Sequence, residues 1–566
     1  MSFLEDIFTR LEAAADKPLL TELRESGPIS ATGRGLSQLI VQARAFLASR
    51  GLRKGDRCAL LAANGIHWVA MDLAIMAEGL IVVPLYSRQA AAELVSMMKD
   101  CSPSLICCGD AALREAIVKE WPEAPEQVLF SEIFDKKTPK DADESQSRQA
   151  GSPFDFAQGW SAPHEDSDVV AIIYTSGTSG EAKGVMLTAG NVGHILKCTS
   201  AQLALLMNNR PGQERVYQWA PLNFAAAWIT VLTSLMRGSS VSMNTDLSKL
   251  ASELRSVAPD YFVNVPALLE RVRRAVDGQL WKTGGMIRAI YSRAKSAYMR
   301  QQEGCATFVD SLWLALANAM VFPAIRKKMI GANLKALICG SAPLSLDTQL
   351  YFMMLGISVL QVYGLTETTG ICTLDDPRHV EPGRVGPAIT GIEMKLGENQ
   401  EIVVRGPNIF PGYWNHPEET AKVLRDGWFH TGDQGEVNAA GNWRIVGRIK
   451  NLIILNSGHN IAPEPIEDQI LERLPGGQQV VLVGNGRSYL SALVAGGVGP
   501  DEVQAAVDAV NADLPHYKQV RSFRIILEAF TIENGLLTAN GKLKRDLIAQ
   551  RFKSEIEEMY AVKQVV

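Results

Sequence analysis

The chain has 566 residues, 47% of them apolar and 21% charged. That balance excludes disordered, collagenous and coiled-coil classes, and at about 100 to 200 residues per domain it allows about three to five structural units. Its 56 Lys and Arg against 61 Asp and Glu give a net charge of −5, so no global basic field exists to recruit nucleic acid or anionic lipid.

The N-terminus carries Glu5 and Asp6 where a signal peptide needs a basic segment, so a cytoplasmic location is expected. The first third alternates LSQLIVQARAFLASRG, DRCALLAA, HWVAMDLAIMAEG, LIVVPLY, ELVSMMKDC and SLICCG, a helix-strand rhythm that predicts βα units and a largely parallel sheet. Between Asp135 and Asp168 the sequence turns polar, with no apolar period to bury, and predicts a surface loop. The strand DVVAIIYTS follows, and helices and strands then alternate to about residue 370. The uncharged stretch from Val216 to Met236 is interrupted by Gln218, Pro221 and Asn223 and reads as buried core. From Glu401 the apolar runs shorten (IVVR, WRIV, LIIL), which predicts smaller antiparallel elements. After Arg448 a tail with VVLVG, LSALVAG, DEVQAAVDAVNADL and FRIILEAF predicts a small domain of its own. The eight cysteines form no CxxC pair and are expected to be reduced core thiols.

The most informative segment is Tyr174-Thr-Ser-Gly-Thr-Ser-Gly-Glu-Ala-Lys183-Gly184. A strand that runs into a Gly- and hydroxyl-rich turn presents N–H and O–H groups to phosphate oxygens, and Lys183 adds charge. It is not a P-loop, because Ala182 precedes the lysine and Gly184 follows it. Alone, it could equally be a flexible turn.

It is accompanied in order by LICGSAPLS, VYGLTETTG, GWFHTGD, GRIKNLIILNSGHNIAPEPIE and LTANGKLKR. This set resembles the adenylate-forming superfamily of acyl-CoA synthetases, adenylation domains and luciferases. The segment from Pro266 to Gly331 is similar to the insertion of long-chain fatty acyl-CoA synthetases. The resemblance implies an α/β fold: a large N-terminal domain of stacked βα sheets plus a small β-barrel-like part (1–449), and a small mobile α+β C-terminal domain (450–566) with the catalytic lysine.

It also implies the chemistry. A fatty carboxylate attacks the α-phosphate of ATP, pyrophosphate leaves, and the thiol of coenzyme A displaces AMP from the acyl adenylate. By match, Thr175, Ser176, Gly177, Thr178, Ser179, Gly180 and Lys183 hold the phosphates, and Glu367, with Thr175, holds Mg²⁺. Gly340, Ser341, Ala342 and Pro343 line adenine opposite Tyr363 and Gly364, and Thr366 lies at the α-phosphate. Asp433 receives the ribose hydroxyls and Arg448 contacts the ribose and phosphate region. Lys542 bridges carboxylate and α-phosphate, Lys450 is the hinge, Gly458 and His459 line the path of coenzyme A, and Phe224 and Trp228 belong to the acyl pocket. The catalytic set is Lys542, Glu367 and Thr366. Because these residues come from both domains, the resemblance implies a site completed by domain rotation.

Four positions depart from the pattern. Ala182 and Ala539 replace prolines, a loss of rigidity and not of chemistry; Asn451 replaces an Asp after the hinge lysine; Phe224 replaces a His. The expected activity is a medium- or long-chain fatty acid–CoA ligase, with peripheral contact at the inner membrane face. The alternatives are a fatty acyl-AMP ligase that loads an acyl carrier protein and a noncatalytic acyl or nucleotide sensor.

Overall fold

The computed structural model describes residues 2–135, 164–176, 182–208, 213–281, 285–329, 333–474, 476–531, 534–538 and 541–561. The chain divides into two compact units. The larger comprises Met1–Thr175, Ala182–Glu393 and Val404–Phe429; the smaller comprises Ser176–Glu181, Met394–Val403 and His430–Val566.

The larger unit is built on two sheets. One has six strands in the order Gln127–Leu129, Leu105–Cys108, Arg57–Leu61, Ile81–Leu85, Val169–Ser176 and Ala182–Thr188. Its first five strands pair in parallel, as the βα rhythm predicts. The strand Ile81–Leu85 is buried at every residue and reads as a continuous apolar run, the signature of a parallel strand covered on both faces. The polar segment expected as a loop lies mostly outside the described residues.

The second sheet has eight strands. From one edge they run Thr373–Leu374, Ser358–Tyr363, Ala336–Cys339, Tyr261–Asn264, Arg215–Gln218, Ser240–Asn244, Pro18–Leu23 and Ile29–Thr32. The six inner strands are parallel and both edge strands antiparallel. The helix Ile66–Ala77 is buried along nearly its whole length, as expected of a helix that is apolar on every face. The stretch from Val216 to Met236 forms a buried strand and the mostly buried helix Ala225–Arg237. No helix among the described residues is long and apolar enough to cross a membrane.

Between the adjacent strands Tyr261–Asn264 and Ala336–Cys339 the chain makes an excursion through four helices, Pro266–Trp281, Gly285–Gln302, Phe308–Met320 and Phe322–Met329. The third is capped reciprocally: Thr307 Oγ1 accepts from the Asp310 amide, and Asp310 Oδ2 accepts from the Thr307 amide at 2.8 Å. Inner-face residues Ile290, Ala294, Ala317 and Phe322 join one core with Phe262 and Phe352.

The part expected to resemble a barrel is a five-stranded sheet. Glu393–Leu396, Glu401–Arg405, Trp428–Val437 and Leu424–Arg425 follow in order, and Trp443–Arg448 pairs antiparallel with Trp428–Val437. In the smaller unit, Gly477–Val483, Leu490–Gly496 and Val520–Ile526 form a three-stranded sheet backed by the helices Glu464–Glu472 and Pro500–Asn511 around their own core.

Candidate active site

In the larger unit, the strand Val169–Ser176 brings in Thr175, and the strand Ala182–Thr188 brings in Lys183. Gly177, Thr178, Ser179 and Gly180, and the side chain of Ser176, lie outside the described residues. Gly184 is required by packing, because a Cβ there would lie 2.7 Å from Ile172 Cγ2. The Lys183 ammonium forms an ion pair with Glu419 and sits 5.5 Å over the Tyr413 ring. The Tyr413 hydroxyl donates to Glu367 Oε1 at 2.8 Å. Tyr413 therefore links the lysine of the glycine-rich segment to the candidate metal carboxylate.

The backbone fixes this relation. The Trp414 amide donates to the Gly184 carbonyl at 2.7 Å, the Met186 amide to Gly412 at 3.2 Å, and the Phe410 amide to the Glu367 carbonyl at 3.0 Å. The segment from 410 to 414 thus stitches one sheet's last strand to the turn that follows the other sheet's Ser358–Tyr363 strand. Neither Tyr413 nor Glu419 is among the residues the sequence singles out; the aromatic in PGYWN and the acidic pair in HPEE are the only signals. Glu419 is held down to about 2, first by Lys183 and then by Lys422, so its carboxyl is ionised at neutral pH.

Gly340–Pro343 and Gly364–Thr368 follow the adjacent parallel strands Ala336–Cys339 and Ser358–Tyr363. Ligands of open α/β sheets bind at such carboxyl ends. A Cβ on Gly340 would meet Val362 Cγ2 at 2.5 Å, and one on Gly364 would meet the Gly370 carbonyl oxygen at 2.4 Å. Ser341 is held at φ 75°, a left-handed conformation unusual for serine. Thr366–Thr368 form a 3₁₀ turn closed by Thr368 Oγ1, which accepts from the Leu365 amide at 2.9 Å. Tyr363 is buried beside it.

Phe224 caps the helix Ala225–Arg237, whose first turn packs against Gly370. Trp228 is 1% exposed, and its indole N–H donates to both carboxylate oxygens of Asp72 at 3.1 and 3.0 Å. Burial pushes the Asp72 carboxyl up to about 7, and the indole hydrogen bond opposes that rise. Nothing in the sequence marked Asp72, since DLAIM reads as an ordinary helix.

In the smaller unit, Asp433 and Arg448 face each other in register, and Arg448 Nε donates to Asp433 Oδ1 at 2.7 Å. Glu401 holds the residues just before Asp433, bonding His430 Nδ1 at 2.7 Å and accepting from the Gly432 amide at 2.9 Å. Thr431 Oγ1 accepts from the Asp433 amide at 3.0 Å. Lys450 lies in the 3₁₀ turn Ile449–Asn451, and Asn451 donates to Glu464 Oε1 at 2.7 Å. Gly458 adopts φ 82°, and the exposed His459 ring stacks on Tyr517 at 4.3 Å. Lys542 is exposed, with its amide donating to Thr538 Oγ1 at 3.1 Å. Three residues on, Arg545 is anchored to the buried Glu467 carboxylate, at 2.7 Å through Nη1.

No group of three or more His, Cys, Asp or Glu among the described residues could hold a metal. A Mg²⁺ ion carried chiefly on nucleotide phosphates suits that composition, because Mg²⁺ takes one or two protein carboxylates and fills its remaining positions with phosphate and water oxygens. Glu367, steadied by Tyr413, and the Thr175 hydroxyl are oxygen donors of the fitting kind.

Known proteins are similar to this chain along most of its length. The Mycobacterium tuberculosis long-chain-fatty-acid–CoA ligase FadD15 is 29% identical over 546 residues, which covers 91% of this chain and 89% of that one. The Arabidopsis thaliana chloroplastic long-chain-fatty-acid–[acyl-carrier-protein] ligase AEE15 is 26% identical over 97% of this chain and 85% of its own length. The crystal structure of the anthranilate CoA ligase AuaEII with anthranoyl-AMP shares the fold, with a TM-score of 0.73 at 17% identity over 97% of each chain. The AMP-binding enzyme family matches residues 8–414, and the AMP-binding enzyme C-terminal domain matches residues 450–564. With the motifs, the sheets and the strand-end turns all in place, the chain belongs to the AMP-binding enzyme family.

Proposed function

We propose that this chain is an ATP-dependent ligase that converts a medium- or long-chain fatty acid to its acyl adenylate, with release of pyrophosphate, and then to its coenzyme A thioester, with release of AMP. The observation that carries the reading is the Lys183–Tyr413–Glu367 array, which gathers an ammonium, a phenol and a carboxylate around one strand end. The relatives named as long-chain-fatty-acid–CoA ligases support the substrate class.

The first step needs charge neutralised around the phosphates more than it needs a base. Thr175, Ser176, Gly177, Thr178, Ser179, Gly180 and Lys183 hold the phosphates. Gly340–Pro343, Tyr363 and Gly364 receive adenine, Thr366 meets the α-phosphate, Asp433 takes the ribose hydroxyls and Arg448 contacts the ribose and phosphate region. Bound Mg²⁺, held by Glu367 and Thr175, supplies positive charge at the phosphates. Lys542 orients the carboxylate oxygen on the α-phosphorus, Lys450 is the hinge between residues 1–449 and 450–566, Gly458 and His459 receive coenzyme A, and Phe224 and Trp228 border the acyl chain. We place the protein in the cytoplasm, with peripheral contact at the inner membrane face.

A second reading, loading of an acyl carrier protein in place of coenzyme A, is favoured by the likeness to the Arabidopsis ligase of that name. Pyrophosphate release measured with straight-chain acids from acetate to stearate, with aryl acids as controls, tests the first step. Thioester on free coenzyme A or only on carrier protein then separates the acceptors. Absence of pyrophosphate with every acid would leave the noncatalytic sensor.

A further inference from the structure

The helix Phe308–Met320 is apolar on both its faces. Inwardly Ala317 is buried in the core, beside Val321 just past the helix end. Outwardly Phe308 is 78% exposed, and Val309, Leu312, Leu316 and Met320 are exposed with it. Spacings of four, with Val309 one position on, put these five side chains on one face of the helix. The single charged residue of this helix, Asp310, is turned inward and bonded to Arg300 and Thr307. Met286, on the neighbouring Gly285–Gln302 helix, is 70% exposed. A contiguous apolar face of this kind on a soluble fold marks a place where something else is covered.

The charge around it says what. Residues 266–329 contain eleven Lys and Arg against four Asp and Glu, an excess of seven positive charges in a chain whose net charge is −5. Arg271, Arg274, Arg288 and Arg293 are exposed, and the Arg293 guanidinium lies 4.6 Å over the ring of Trp313 on the apolar helix. The local charge of this segment is thus opposite in sign to that of the whole chain. A second copy of the chain is a poor occupant, because mating two such faces would bring like charges together. An apolar face beside a helix that carries the exposed Arg288 and Arg293 fits the interface of a bilayer with anionic headgroups.

We propose that the helical pair Gly285–Gln302 and Phe308–Met320 docks this protein on anionic membrane surfaces through the Phe308–Leu312–Leu316–Met320 stripe. The proposal rests on the fatty-acid reading only for its purpose, collection of a substrate that dissolves in lipid. Docking itself is independent of that reading.

The test is co-sedimentation of the full chain with vesicles of phosphatidylcholine, with and without phosphatidylglycerol. Cys305, the exposed thiol three residues before Phe308, takes an environment-sensitive fluorophore in a Cys198→Ser background. Binding and a blue shift are expected only with phosphatidylglycerol present, and raised salt should weaken both. Leu312→Ser with Leu316→Ser should weaken binding about tenfold or more, since membrane affinity scales with buried apolar area. Arg271→Glu with Arg274→Glu should weaken it too without touching the apolar stripe. Melting temperature and pyrophosphate release from octanoate in vesicle-free solution should be unchanged in both double variants. No binding by the unmutated protein, or equal binding by the serine variant, would overturn the proposal. So would a concentration-dependent dimer that the serine variant abolishes, which would assign the face to a second copy. Vesicle binding without pyrophosphate release from any acid would sink the ligase reading and leave the docking intact; the reverse result would do the opposite.

Discussion

The phenol of Tyr413 donates a 2.8 Å hydrogen bond to Oε1 of Glu367, and the Lys183 ammonium sits over the same ring. One aromatic side chain thereby sets the spacing of the two charged groups assigned to the nucleotide phosphates. Tyr413→Phe keeps the ring and removes the donor. A hydrogen bond to a charged group is worth about 1.5 to 3 kcal/mol, so kcat/KM for pyrophosphate release should fall about tenfold or more, with a higher Mg²⁺ requirement. Titration of activity against Mg²⁺ reads this directly, and an unchanged curve would separate Tyr413 from the metal carboxylate.

Lys542→Ala should cut adenylate formation by about 10²- to 10³-fold, the usual loss when one preorganised charge is removed. Thioester formation from supplied acyl adenylate should largely survive. Stopped-time assays of the two half-reactions measure this separately. Equal loss in both would show that the lysine serves more than the first step.

Asp433→Asn should raise the KM for ATP by about tenfold, since one exchanged hydrogen-bonding charge costs about 1.4 kcal/mol or more. The paired Arg448 would then face an amide. An unaltered nucleotide KM would remove Asp433 from the ribose.

Much of this was legible in the sequence and some was not. The alternating buried strands and the small C-terminal sheet are written in local apolar periods, whereas the segment of the four-helix excursion was legible only through its resemblance to the long-chain insertion. The nucleotide turns were found through short Gly- and Thr-rich segments whose order is distinctive. Tyr413 and Glu401 escaped because each acts through a partner distant in sequence, Glu367 being 46 positions away from Tyr413. Asp72 escaped for another reason: one carboxylate in an apolar helix looks the same whether it faces solvent or is sealed against an indole 156 positions away.

That buried carboxylate makes a prediction about pH. Asp72 has a folded-state pKa of about 7, above the ordinary carboxylate value of about 3.9. The folded chain therefore holds this proton over a pH range where the unfolded chain has lost it. The associated stability is present below about pH 4, declines as pH rises through about 7, and is fully lost above it. Three pKa units correspond to about 4 kcal/mol. Asp72→Asn keeps an acceptor for the Trp228 indole and abolishes the titration. Its melting temperature should vary less than that of the unmutated chain between about pH 4 and 7, and the variant should be the more stable at pH 8. Parallel curves would show that Asp72 does not titrate there.

Trp228→Phe tests the acyl assignment while limiting the cavity. Its expected result is a changed ranking of fatty acids by chain length with an unchanged KM for ATP. A full Trp228→Ala change would add the loss of a buried aromatic, about 3 to 5 kcal/mol, and blur the readout. An unaltered ranking would return Trp228 to a role in packing alone.

The close approach at Gly364 also bears on protein engineering. Because the Gly370 carbonyl would lie 2.4 Å from any Cβ placed there, the loop that leaves Tyr363 returns to touch its own starting point. Libraries aimed at altered nucleotide preference should vary side chains within that loop and leave its length untouched, since an inserted residue would have to reopen a closed ring of backbone.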